Sequence, residues 1–186
     1  VPTSYPRSED DTLYAGKPER YPGTDEGAGY PVIRYSERLE MGYRWFQAQG
    51  IKPLFGFGFG LSYTTFDLAD VAVNAPDGAN APVTVTGSVT NTGPVAGAEV
   101  VQLYLRVPVD GEPPKRLVGF QKVYLEPGES KPVTITIDPA ATNHPFSVWD
   151  DCSHSFVIKP GEYTVYVGNA SDNTPRIATL AVASDR

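Results

Sequence analysis

The stretch "AEVVQLYLRV", Ala98 to Val107, changes polarity at nearly every step: Val101, Leu103, Leu105 and Val107 fall on one side and Gln102, Tyr104 and Arg106 on the other. A period of two is what a strand with one buried face requires. The same alternation returns in "VTVTGSVTN" (Val83, Val85 and Val89 against threonines), in "KPVTITI" (Val133, Ile135 and Ile137 against Thr134 and Thr136), and in "GEYTVYVG" (Tyr163, Val165 and Val167 against Thr164 and Tyr166). Turn-forming clusters separate these segments: "NTGP" at 91–94, "VDGEPP" at 109–114, "EPGES" at 126–130 and "KPGE" at 159–162. About seven short strands at this spacing, with no helical pattern after residue 66, predict an all-β fold, an antiparallel β-sandwich over residues 67–186. Its expected core includes Val85, Val101, Leu103, Leu105, Ile135, Val165 and Val167.

Upstream of residue 67 the pattern is different. Residues 1–29 show almost no periodicity, and prolines at 2, 6, 18 and 22 with glycines at 16, 23, 27 and 29 predict an irregular arm that leans on another surface. "YPVIRYSE" reads as a short strand centred on Val32 and Ile33. "SERLEMGYRWFQAQ" reads as a helix with Ser36 as N-cap and Leu39, Tyr43 and Phe46 on one face, interrupted at Gly42. Then comes "PLFGFGFGLSYTTF", Pro53 to Phe66, where Gly56, Gly58 and Gly60 alternate with phenylalanines. Three glycines cost a helix about 1 kcal/mol each, so the segment is extended or bent, with rings on one side and bare backbone on the other. This is the composition of a joint, with Phe55, Phe57, Phe59, Tyr63 and Phe66 as its expected packing residues.

Composition narrows the function classes. The net charge of −7 and pI near 4.8, with basic residues scattered, argue against a nucleic-acid partner. No apolar run approaches the ~20 residues of a membrane-spanning helix, no secretory leader pattern opens the chain, and Val1 in place of methionine predicts a piece or processed form of something longer. The expectation is a soluble bacterial protein, extracellular or cytoplasmic. Cys152, the single cysteine, rules out an internal disulfide. "WDDCSH" sets Asp150, Asp151, Cys152 and His154 near His144, but the spacing fits no zinc pattern, no second feature supports a cysteine nucleophile, and a turn between strands explains the same residues. Acidic pairs at Asp10 and Asp11, Asp25 and Glu26, and Asp150 and Asp151 lie in turn-rich segments where solvated carboxylates are the rule. "GFGFG" follows no parallel-sheet strand and opens no helix, so a phosphate cradle is not expected. "NAS" at 169–171 is a glycosylation acceptor sequence, relevant only in a host that glycosylates. The sequence offers no catalytic, cofactor-binding or metal-binding residues.

The joint and its flanks resemble a known family. "YPVIRYSERLEMGYRWFQAQGIKPLFGFGFGLSYTTF" is similar to the segment by which glycoside hydrolase family 3 enzymes leave their α/β-sandwich domain and enter a C-terminal fibronectin type III-like domain. The matching positions are Tyr35, Ser36, Glu37 and Leu39; Gly42 to Trp45; and Pro53 to Phe55, Phe57, Gly58 and Gly60 to Thr64. The similarity continues through "VTNTGPVAGAEVVQLYL", "PPKRLVGFQKVYLEPGES", "VWD" and "GEYTVYVGNAS", and "VPTSYPRSEDD" resembles the segment just after the end of the family's catalytic region. Arg38 stands where glycine is usual, Gln47 where aspartate is common, Gly56 where proline is, Phe59 where histidine is, and Phe156 where tryptophan often is.

The resemblance implies an immunoglobulin or fibronectin type III-like sandwich at 67–186, preceded at 1–66 by a linker arm and the end of the α/β-sandwich domain. The family's aspartate nucleophile and acid/base glutamate lie on upstream domains, and no residue here matches either. The implied parent is a retaining β-glucosidase acting on terminal β-D-glucosyl residues, the implied partners its own barrel and α/β-sandwich domains, and any β-glucoside or polysaccharide would be met through that parent. Three roles remain open for the chain itself: a structural brace, a polysaccharide- or lignin-binding module, or a subunit-contact domain. The binding reading rests on tyrosines assigned to polar strand faces, Tyr104 and Tyr166, as candidate carbohydrate contacts.

Overall fold

Residues 1–27, 29–75 and 81–183 are described in a computed structural model; the last residues of the expected sandwich, 184–186, lie outside them. The arm holds a single 3-10 turn (Glu9–Asp11), strands β1 (Thr24–Asp25) and β2 (Pro31–Val32), and helix α1 (Tyr43–Ala48). Strands β3 (Phe66–Asn74), β4 (Val83–Asn91), β5 (Gly97–Arg106), β6 (Arg116–Leu125), β7 (Ser130–Ile137), β8 (Ser147–Asp150), β9 (Ser155–Ile158), β10 (Gly161–Gly168) and β11 (Arg176–Val182) come after it. A three-stranded sheet ordered β3-β4-β7 faces a four-stranded sheet ordered β11-β10-β5-β6, all pairs antiparallel. This is the β-sandwich read from the alternation, with β8 and β9 added as a separate hairpin.

The alternation places the core. Within the sheets Val85 lies opposite Ile135, Val83 opposite Ile137, Val165 opposite Leu105 and Val167 opposite Leu103, so branched side chains meet as cross-strand pairs. All seven expected core residues are buried, and Phe146 and Tyr163 complete the filling. Tyr163 is deep inside, where its one hydroxyl proton is shared between the Lys159 carbonyl at 2.7 Å and the Phe146 carbonyl at 3.0 Å. Burial raises its pKa.

The arm departs from expectation in two places. The helix begins at Tyr43, not after Ser36, because Arg38 (φ 53°) and Gly42 (φ 57°) adopt left-handed backbone that breaks any helix between them. The expected strand shrinks to Pro31–Val32, leaving Ile33 exposed. Without an apolar core of its own, this segment is organised around Arg20. Its guanidinium donates to the Leu13 carbonyl (2.6 Å) and Ser36 Oγ (2.8 Å), pairs with Glu37 at 3.6 Å, and sits 5.3 Å from the Trp45 ring centre. Trp45 in turn donates to the Asp11 carbonyl at 2.9 Å, joining the helix to the first turn.

Candidate interdomain surface

The joint runs in a narrow seat between the N-terminus and the loop after β10. Tyr5 and Phe55 form an antiparallel bridge, the Gly58 amide donates to the Val1 carbonyl at 2.9 Å, and the Val1 amino group caps the Phe59 carbonyl. On the other side the Ser171 amide donates to the Phe57 carbonyl at 2.8 Å. The glycines answer to side chains here. A Cβ on Gly56 would lie 2.0 Å from Asp172 Oδ1, and one on Gly58 would lie 2.2 Å from Gln102 Nε2, with φ at +86° besides.

Beneath the joint lies a polar network that ties the arm to the four-stranded sheet. The Tyr104 hydroxyl donates to Gln102 Oε1 at 2.6 Å, Gln102 Nε2 donates to the Asn169 carbonyl at 2.5 Å, and Asn169 Nδ2 donates to Glu99 Oε2 at 3.1 Å. From the arm, Gln47 Nε2 donates to the Ser171 carbonyl at 2.6 Å and the Tyr43 hydroxyl accepts the Leu117 amide at 2.7 Å. The Tyr43 ring packs against Phe57 (5.5 Å) and edge-on against Tyr104 (5.6 Å). Lys115 closes the group: its ammonium lies 5.2 Å and 5.1 Å from the Tyr104 and Tyr166 ring centres and donates to Thr174 Oγ1 at 2.9 Å.

The expected site residues therefore divide. Phe66 packs on the sandwich core and Phe57 on Tyr43, whereas the exposed Phe55 ring lies tilted against half-buried Phe59 at 5.0 Å and Tyr63 is 96% exposed. Tyr104 is corrected as a carbohydrate contact: it is 0% exposed, because helix α1 and the joint cover the polar face of β5. Gln102, on the same face, is buried for the same reason. Tyr166 is half-buried beside Lys115. Lys115 and Asp172 were not legible as site residues, and Tyr43 and Gln47 were read only as a helix-face residue and a departure from the family pattern; all four acquire their roles from contacts distant in sequence. At the hairpin, His144 stacks on Phe156 and Asp150 pairs with Lys159 at 3.3 Å. Among the described residues no group of three or more His, Cys, Asp or Glu is placed to hold a metal ion.

Burial dominates the electrostatics of the network. It raises the Tyr104 hydroxyl well above the ordinary phenol range, aided by Tyr43 and Asp172, and it lowers Lys115 to about 8 despite the opposing Asp172 charge. Because the native lysine loses its proton before the unfolded one, the unfolded chain binds more protons from about pH 8 to about 10.5. Stability therefore rises with pH through the lower part of that window. Above pH 10 the raised tyrosines work in the opposite sense. We expect the urea midpoint of the native chain to gain on that of Lys115→Met between pH 7.5 and 9.5. Parallel curves for the two proteins would show that Lys115 is not the source.

Residues 99–171 match the fibronectin type III-like domain family. The chain is 39% identical over 173 residues to probable β-glucosidase G of Emericella nidulans, covering 81% of this chain and 21% of that protein. It is 38% identical over 154 residues to thermostable β-glucosidase B of Acetivibrio thermocellus, covering 81% and 19%. Among solved structures, DesR, a β-glucosidase from Streptomyces venezuelae in complex with D-glucose, superposes with a TM-score of 0.85 at 36% identity over 97% of this chain and 22% of that one. The Bifidobacterium adolescentis GH3 β-glucosidase gives 0.82 at 33% identity over 97% and 25%. The chain thus spans about a fifth of the length of the curated relatives it matches. These relatives are fungal and bacterial alike, so the similarity does not single out a bacterial source. No helix among the described residues is long and apolar enough to cross a membrane. The chain contains a fibronectin type III-like domain and, with the arm before it, matches the corresponding region of glycoside hydrolase family 3 β-glucosidases.

Proposed function

We propose that this chain is a non-catalytic brace: the fibronectin type III-like end of a family 3 β-glucosidase, held against the barrel and α/β-sandwich domains of the same protein. In this reading residues 1–66 are the linker arm and the end of the α/β-sandwich domain, and 67–186 the braced sandwich. The parent, in this reading, is a retaining enzyme that removes terminal β-D-glucosyl residues; the relatives carry the name β-glucosidase. One observation carries the proposal. Of the nineteen large hydrophobic side chains left exposed among the described residues, thirteen belong to the first 63 residues, including Tyr35, Leu39, Met41, Leu61 (93%) and Tyr63 (96%). Such density of exposed apolar groups marks a surface made to be covered. Phe57 and Phe66 fasten the joint to the sandwich, while the exposed Phe55 and Tyr63, with Phe59 half-buried behind Phe55, anchor the catalytic body.

The test compares this chain alone with the same chain joined to the domains proposed to precede it. Replacing Tyr35, Leu39 and Met41 together by serine should leave the isolated chain's melting temperature unchanged. In the longer protein it should lower the melting temperature and uncouple the unfolding of the two parts. The isolated chain should turn over no aryl β-glucoside. Equal losses in both proteins, or none in either, would show that these residues do not form the brace.

A further inference from the structure

The hairpin of β8 and β9 belongs to neither sheet. Its inward residues, Val148 and Val157, pack on the core. Its outward pair, Trp149 and Phe156, stand opposite one another in register with ring centres 5.3 Å apart at 76°. They are 52% and 47% exposed. His144 lies flat on Phe156 at 3.8 Å, and Trp149 Nε1 donates to Asp151 Oδ1 at 3.0 Å. The rings are therefore held in place while about half of each stays in water. Asp151 retains acceptor capacity beyond the indole bond, since a carboxylate has about four acceptor sites.

Size and charge select the occupant. An aromatic side chain buries roughly 150–250 Å² when fully covered, so two half-exposed rings offer about 200 Å². A stable protein interface takes about 800 Å² from each partner, which this ledge cannot supply. Asp150 and Asp151 beside the rings, with Lys159 already paired to Asp150, disfavour a phosphate or an anionic lipid surface. What remains is a small group that is apolar on its face and hydroxylated at its edge. A β-linked glucopyranose has this shape: its ring substituents are equatorial, so the faces present C–H groups and the hydroxyls point sideways.

We propose that Trp149, supported by Phe156 and Asp151, is a stacking ledge for one glucosyl unit of a β-glucan chain. The indole face takes the sugar's C–H face, and the Asp151 carboxylate accepts an edge hydroxyl. One stacked ring and one or two hydrogen bonds make a weak contact, with a dissociation constant of about 1–10 mM. The ledge shares no residue with the arm, so it stands or falls separately from the brace. Its role would be to keep a polymer near the enzyme that the chain belongs to.

The experiment is a titration of the 186-residue chain with cellopentaose, read by tryptophan fluorescence and by chemical shifts, with Trp45→Phe to remove the second indole signal. Saturable binding is expected, weakened about tenfold or more in Trp149→Ala and partly retained in Trp149→Phe. Asp151→Asn should weaken it about threefold. Thermal melts accompany each variant; if Trp149→Ala melts early, Trp149→Phe and Asp151→Asn decide the matter. Absence of saturation, affinity unchanged in the variants, or binding to lignin but not to cellopentaose would overturn the proposal.

Discussion

Replacing Leu103 by alanine is expected to lower the unfolding free energy by about 2–5 kcal/mol, and more toward the upper half of that range than the lower. Leu103 is completely buried, lies opposite Val167 on β10 and Gly119 on β6, and sits in the middle of the four-stranded sheet. Its neighbours are held by hydrogen-bonded strands on both sides, so the space left by the lost methyl groups cannot close by a local shift. Gly119 adds to this, because it has no side chain to lean into the gap. Ile135→Ala should behave similarly, since it faces the same interior from the other sheet. Thr134→Ala, one residue away on the solvent side of β7, should change stability by about 0.5 kcal/mol or less. Denaturant unfolding of the three variants checks the assignment of faces. Equal losses at positions 103, 134 and 135 would mean that the sandwich is not packed as described.

The second large effect is expected at a residue whose sequence context suggests a surface position. Gln102 alternates with Val101 and Leu103, and by that pattern its loss should be nearly silent. In the fold, however, it is 4% exposed and holds both the Tyr104 hydroxyl and the Asn169 carbonyl. Gln102→Ala removes both partners and leaves a buried phenol without an acceptor, a loss of about 2–3 kcal/mol. Tyr104→Phe in the same chain should recover part of it by deleting the orphaned hydroxyl, so the double variant should be less destabilised than the sum of the singles. Because Gln102 sits directly under Gly58, the arm should also loosen, and protease cleavage in residues 1–60 should quicken more than for Leu103→Ala at matched stability. A Gln102→Ala chain as stable as Thr134→Ala would show that the arm does not rest on this face.

Strand identity, inward faces and turn positions were legible in "AEVVQLYLRV" and its three counterparts, because side-chain alternation in a strand is a local consequence of the pleat and needs no knowledge of the partner. The bent, non-helical course of residues 53–65 was legible for a similar reason: glycines alternating with phenylalanines limit the backbone whatever surrounds it. Those local signals determined the sandwich and its core. They could not determine what covers the polar face of β5. Gln102 and Tyr104 read as solvent-facing because alternation reports only that two faces differ in polarity, not that the polar one meets water. Tertiary structure decided that face by laying Tyr43 and Phe57 of the arm over it from far upstream, with Lys115 closing it from the loop before β6. It also decided the start of helix α1, where left-handed backbone at Arg38 and Gly42 overrode a good capping residue at Ser36. And it set Trp149 beside Phe156, His144 and Asp151, residues whose meeting depends on the hairpin register and on the core beneath it, neither of which a single strand of sequence encodes.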